Sequence, residues 1–214
     1  MAEHKMTQGT DQWRMFRLGK ASASRVGEIM ARTKSGFSAS RNNYLMQLLC
    51  ERLTGKPNDF FVTEPMARGT ELEPLARSAY EVDKGVTVFE TGCFSHPEID
   101  GLIASPDGLV GIDGMIECKC PNTAQHVSFI RTGEIDPKYQ WQMLAQMACS
   151  GRRWVDYVSY DDRLPEALQY RCKRFPFDAA RAAEMLAEIK TFIAELDALE
   201  SEMRGLMAPI QQVV

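Results

Sequence analysis

The stretch Ser105-Pro106-Asp107-Gly108, followed by Ile116-Glu117-Cys118-Lys119-Cys120-Pro121, reads as two short strands joined by a turn, with an acid near each inner end. Leu102-Ile103-Ala104 supplies an apolar first strand that runs out at Asp107. Gly111-Ile112-Asp113-Gly114 then supplies turn chemistry before a second strand begins at Met115. Alternation along that strand puts Glu117 and Lys119 on one face and Ile116, Cys118 and Cys120 on the opposite, buried face. Two acids and a lysine converge on one spot.

Such a set suits a hard divalent cation of the magnesium type, which takes oxygen ligands at roughly 2.0–2.1 Å. Asp107 and Glu117 offer side-chain oxygens, and the main-chain carbonyl of Cys118 offers a third. Lys119 stands where an ammonium orients or helps deprotonate an attacking water and offsets charge on a phosphate. That is phosphodiester hydrolysis chemistry. The acids lie ten residues apart and lead into Glu-x-Lys, a pattern that resembles the catalytic motif of the PD-(D/E)xK nuclease superfamily. The motif is degenerate, because a surface hairpin with Pro-Asp-Gly in a type I turn shows the same residues. Its weight therefore depends on the rest of the chain.

With 214 residues, 44% of them hydrophobic and 25% charged, the chain reads as a single domain over 1–214 with a substantial core. No segment is apolar for long enough to cross a membrane, and the start, Met1-Ala2-Glu3-His4-Lys5-Met6, lacks the apolar stretch of a signal peptide, which predicts a cytoplasmic protein. The six cysteines show no Cys-x-x-Cys pairing, so they read as small buried residues rather than zinc ligands. A net charge of −4 argues against a generally basic nucleic-acid coat. It leaves room for a DNA enzyme whose basic residues face a concave channel.

Residues 1–10 read as a mobile start. Ser22 or Ser24 is expected to cap a short helix holding Val26, Ile29 and Met30, beside Arg17, where a helix N-terminus would make a phosphate-binding corner. The alternative is that Trp13 and Phe16 staple the chain to the core and Arg17 is solvated. A loop at 32–38 carries Lys34 and leads to a helix from Ser40 to Leu53, so that Lys34 and Arg41 could reach a nucleic-acid backbone. A second helix spans Glu64 to Val82, and Pro74 predicts a late start or a kink that would aim Glu73 at the sheet. Asn122-Thr123 caps a further helix, and Pro137 opens one over Lys138–Cys149 with Gln140, Gln142 and Gln146 among apolar residues. Strands are expected at 154–160 and 168–175, and a long amphipathic helix at 178–204. The order suits an α/β (α+β) domain with a restriction-endonuclease-like core, a central mixed sheet flanked by helices.

Four ordered blocks together resemble the lambda-exonuclease family, the YqaJ-type viral recombinases. They are Trp13-Arg14-Met15-Phe16-Arg17-Leu18-Gly19 with Ala23-Ser24; Gly69-Thr70-Glu71-Leu72-Glu73; the Ser105-Pro106-Asp107-Gly108 and Glu117-Cys118-Lys119-Cys120-Pro121 pair; and Tyr139-Gln140-Trp141-Gln142. The resemblance implies a magnesium-dependent exonuclease, with manganese as a substitute, that degrades the 5′-ended strand of linear double-stranded DNA, releases mononucleotides and leaves a 3′ overhang. It implies a ring-shaped homotrimer working with a single-strand annealing protein, encoded by a phage or prophage and acting in the cytoplasm of the bacterial host. By position Asp107, Glu117 and the Cys118 carbonyl would hold metal, Lys119 would act on the water, and Glu73 and Gln142 would complete the site. Arg17, Ser24 and Ser105 would hold a terminal 5′-phosphate, and Lys34 would lie near the minor groove. The chain departs from the family in one place: a family arginine after the Glu-x-Lys-Cys-Pro block falls near Gln125, with Arg131 the nearest later cation. Two other readings remain. One is a restriction or junction endonuclease with the same metal site; the other is a non-catalytic DNA-binding subunit.

Overall fold

The computed structural model describes residues 2–34, 36–57 and 63–206. In chain order the elements are β1 (Ala2–His4), α1 (Asp11–Arg17), β2 (Ala21–Ser22), α2 (Val26–Met30), β3 (Arg32–Thr33), β4 (Gly36–Phe37), α3 (Ala39–Thr54) and α4 (Glu64–Lys84). Then come β5 (Val88–Phe89), β6 (Cys93–Ser95), β7 (Leu102–Ala104), β8 (Gly108–Val110), β9 (Gly114–Lys119), α5 (Thr123–Thr132) and α6 (Pro137–Ser150). The last four are β10 (Trp154–Tyr160), α7 (Glu166–Gln169), β11 (Tyr170–Pro176) and α8 (Ala179–Leu206).

The expected hairpin is present, but its first arm is β8 rather than Leu102–Ala104. β8 and β9 pair antiparallel, with Val110 opposite Gly114, and Gly111 at φ +54° turns the chain between them. Leu102–Ala104 belongs instead to a second sheet, of order β1-β6-β7-β2. The physical reason is Pro106, which has no N–H to give a ladder and so ends one strand before Gly108 starts the next. Ser105-Pro106-Asp107 is the bridge from one sheet to the other.

The main sheet has the order β11-β10-β9-β8-β5 and is mixed, since β9 and β10 run parallel while the other neighbours run antiparallel. Joining two parallel strands needs a crossover, which α5 and α6 provide. Gly114 is required by close approach: a Cβ there would sit 2.1 Å from the Trp154 ring.

Helices cover both faces, as expected for an α/β domain. Ala76 and Tyr80 of α4 pack on Ile116, Cys118 and Val158. On the other face Met143, Leu144 and Met147 of α6 meet Met115, Val155 and Tyr157, with α2, α3 and α8 completing the larger core. β9 is therefore buried on both sides, and Glu117, expected on a face open to a ligand, is only 1% exposed.

Several local expectations are corrected. Neither Ser22 nor Ser24 caps a helix with its side chain. Ser22 precedes a 3-10 turn over Ala23–Arg25 without a capping bond, and the two hydroxyls lie 3.2 Å apart, bonded to each other. α4 starts at Glu64 and runs through Pro74, which is exposed. Leu168 and Gln169 belong to the helical turn α7, and the strand begins at Tyr170. The start read as mobile includes β1, paired antiparallel with β6. Arg41, read as a possible DNA contact, is 1% exposed and gives a forked pair of hydrogen bonds, 2.8 and 3.0 Å, to Glu195 of α8. Among the described residues no helix is long and apolar enough to cross a membrane.

Candidate active site

The bridge between the sheets delivers Asp107 to the end of β9, where its carboxylate accepts the Cys118 N–H at 2.7 Å. Glu117 faces the α6 side of the sheet. Gln142 and Gln146, one helical turn apart, present their amides to the same carboxylate, Gln142 Nε2 to Oε1 at 2.6 Å and Gln146 Nε2 to Oε2 at 2.5 Å. Lys119 Nζ lies 2.6 Å from Glu117 Oε1 and 5.0 Å from the centre of the Tyr139 ring. Burying Glu117 is tolerable because three donors share its charge.

The acids crowd one another. Burial, then the neighbouring Glu117 and Glu73 carboxylates, push Asp107 well above its ordinary pKa against the pull of Lys119. Burial likewise raises Glu73, although Arg77 opposes it. For Lys119 burial disfavours the ammonium, but Glu117 and Asp107 outweigh it and hold the pKa above the usual lysine value. Lys119 thus favours its ammonium form beside the acids. Among the described residues no three His, Cys, Asp or Glu side chains form a ready metal cluster.

Glu73 projects from α4 into a cleft of about 710 Å³ whose lining includes Gln8, Trp13, Pro74, Arg77 and Thr91. The segment before α1 forms one wall, and Gln8 closes it by donating to the carbonyls of Thr91 (3.1 Å) and Pro106 (2.8 Å).

Arg17 and Ser105 meet as expected. Arg17 stacks over the Trp13 ring, 4.2 Å to the centroid, and both side chains donate to Ser105 Oγ, Trp13 at 3.0 Å and Arg17 at 3.4 Å. Burial pulls the Arg17 guanidinium below its usual pKa, and among the described residues no carboxylate lies within ion-pair distance of it. The parallel register pairs Ala21 with Leu102 and Ser22 with Ile103 and ends there, and Ser24 lies in the 3-10 turn that follows, bonded to Ser22. Lys34 is exposed in the turn between β3 and β4. Gln125 and Arg131 stand at opposite ends of α5, six residues and thus about 9 Å apart along its axis.

Sequence reasoning named Gln146 with Gln140 and Gln142 on this helix but gave only Gln142 a place in the site; the spacing of four residues between Gln142 and Gln146 was the available signal. It also missed Arg77, which bridges Glu73 (3.2 Å) and Glu90 (2.8 Å).

Residues 12–153 match the model of the YqaJ-like viral recombinase domain. The crystal structure of an alkaline exonuclease, LHK-Exo, from Laribacter hongkongensis is similar at a TM-score of 0.87, with 49% identity over 93% of this chain and 98% of that one. The structure of LHK-Exo in complex with dAMP gives the same values. A phage related exonuclease from Haemophilus somnus 129PT shares 16% identity over 88% of this chain and 96% of its own, at a TM-score of 0.64, which is a likeness of fold. Comparison with curated proteins gives no match. With the match spanning the first helix, the Glu73 helix, both acids and the glutamine helix, the chain belongs to the YqaJ-like viral recombinase family.

Proposed function

We propose that the chain is a magnesium-dependent exonuclease that degrades linear duplex DNA from 5′ to 3′, releases mononucleotides and leaves a 3′ overhang for strand annealing. The observation that carries this reading is the junction of Asp107, Glu117 and Lys119 with the Arg17–Ser105 corner through the single residue Pro106. The 49% identity with an alkaline exonuclease, also crystallised with a deoxynucleoside monophosphate, supports it.

Magnesium fits the donor chemistry. Asp107 and Glu117 are hard oxygen donors whose mutual repulsion already raises Asp107, and a dication would relieve it. Those two carboxylates and the Cys118 carbonyl are the residues that would hold it, with manganese as a substitute. Bound there, the ion would supply Lewis acidity toward a phosphate and lower the pKa of water. The chain's own residues do the rest. Gln142 and Gln146 fix the Glu117 carboxylate, Lys119 brings a positive charge and a donor to the reacting phosphate, and Glu73 faces the site from α4. Arg17, Ser105 and Ser24 would grip a terminal 5′-phosphate, and Lys34 would touch the duplex outside the site.

The same reading includes a homotrimer that encircles DNA, a single-strand annealing partner, and action in the cytoplasm of a bacterial host from a phage or prophage gene. Digestion of linear duplex carrying either a 5′-phosphate or a 5′-hydroxyl, with magnesium and then with chelator, tests metal, polarity and end recognition together. Mononucleotides released from the phosphorylated 5′ strand only when magnesium is present are expected. Cutting of covalently closed plasmid would instead favour an endonuclease.

A further inference from the structure

Arg77 is not spent by the chemistry above, and its bonding is incomplete. Its fork reaches Glu73 at 3.2 Å and Glu90 at 2.8 Å, while its buried Nε–H has no partner. A guanidinium carries five donors, and leaving one buried and unpaired is costly. The Glu90 side chain is 82% exposed, so that pair is screened and weak. Glu90, Arg77 and Glu73 line one cleft with Trp13, which itself holds Ser105. The cleft therefore runs from Glu73 to the Trp13 ring on which Arg17 stacks.

We propose that Arg77 is a phosphate ligand for the DNA strand lying in this cleft, and that Glu90 is the internal stand-in that such a phosphate displaces. A phosphate oxygen is a charged acceptor for the guanidinium, and the nitrogen held by the solvent-exposed Glu90, Nη1, is the one it would take. Once Glu90 swings out to solvent, Nη1 is free for a phosphate oxygen while Nη2 keeps Glu73 in place. The inference rests on the nuclease reading, because it needs nucleic acid in the cleft.

The test is equilibrium binding of a 5′-phosphorylated duplex under chelator, where no cutting is expected, across a series of salt concentrations. Wild type, Glu90→Gln, Arg77→Ala and the double variant are compared. Glu90→Gln should tighten binding at least about threefold when Arg77 is present, and that gain should vanish in the Arg77→Ala background. Arg77→Ala should also flatten the slope of log affinity against log salt by about one, the signature of one lost phosphate contact. Equal tightening by Glu90→Gln in both backgrounds, or an unchanged slope, overturns the proposal. Should Arg77→Ala fold poorly, Glu90→Gln alone decides, since an exposed side chain tolerates the change and absence of tightening also refutes the idea. A wild-type chain that ignores duplex altogether would sink the nuclease reading as well.

Discussion

Glu117 is a buried carboxylate held by three donors, and that fixes what its neighbours are worth. Replacing Gln146 by Leu removes one charge-assisted hydrogen bond, typically about 1.5–3 kcal/mol. At 2–4 °C per kcal/mol for a domain of this size, melting should fall by about 3–12 °C in a calorimetric scan. A shift under 1 °C would show that Glu117 does not depend on Gln146. Asp107→Ala and Glu117→Ala are each expected to cut the cleavage rate by at least about a hundredfold, the scale of losing one pre-organised electrostatic group. Lys119→Ala should do the same while duplex binding persists, and near wild-type cleavage by that variant would remove Lys119 from the chemistry. Arg17→Ala should slow digestion of 5′-phosphorylated ends by about ten- to a hundredfold, with less effect on 5′-hydroxyl ends; equal slowing of both would make Arg17 a structural residue. Glu117 and Lys119 were legible because strand alternation puts them on one face without knowledge of packing, whereas Asp107 sits on the bridge between the sheets rather than on the hairpin arm expected for it. The roles of Gln146 and Arg77 were not legible, because Gln146 meets Glu117 29 residues away in sequence and Arg77 meets Glu90 beyond the end of its own helix.

At the scale of elements, the first hairpin arm shows the limit of local pattern. Leu102–Ala104 and Gly108–Val110 are both short and apolar, and only pairing across the sheets tells them apart. Helices were read with bounds close to those observed, as at Pro137–Ser150, because Pro137 starts that helix and Gly151, in the left-handed region, ends it. Arg41 misled for the opposite reason. A charged residue after a loop suggests solvent, yet α8 returns over α3 and buries it between the Phe37 and Phe192 rings, 3.9 and 5.2 Å from the centroids. Removing one partner of a buried pair costs about 3–5 kcal/mol, and less here because Glu195 is partly open to water. Arg41→Ala should therefore destabilise the fold by about 2–3 kcal/mol in urea unfolding and leave duplex affinity unchanged. A loss of affinity without a loss of stability would return Arg41 to the DNA surface.

At the scale of the whole molecule, an acidic chain with charge −4 needs a way to stay on DNA, and a closed ring provides one without a basic exterior. Sedimentation equilibrium near physiological salt should report a trimer at micromolar concentration; monomer throughout would remove the ring. The acids Glu188, Glu195 and Glu200 of α8 are engaged within the chain, paired with Arg32, Arg41 and Arg52. The bridge Ser105-Pro106-Asp107 has a different bearing on the assembly. Two residues of chain span at most about 7 Å, so the backbone distance from the hydroxyl that would hold the terminus to the carboxylate that would cut is limited by covalent bonds. The stride would then be a gauge cut into the backbone. Warming the protein or slackening its flanking helices should change how long each molecule keeps walking, while chromatography of the products still finds steps of one length.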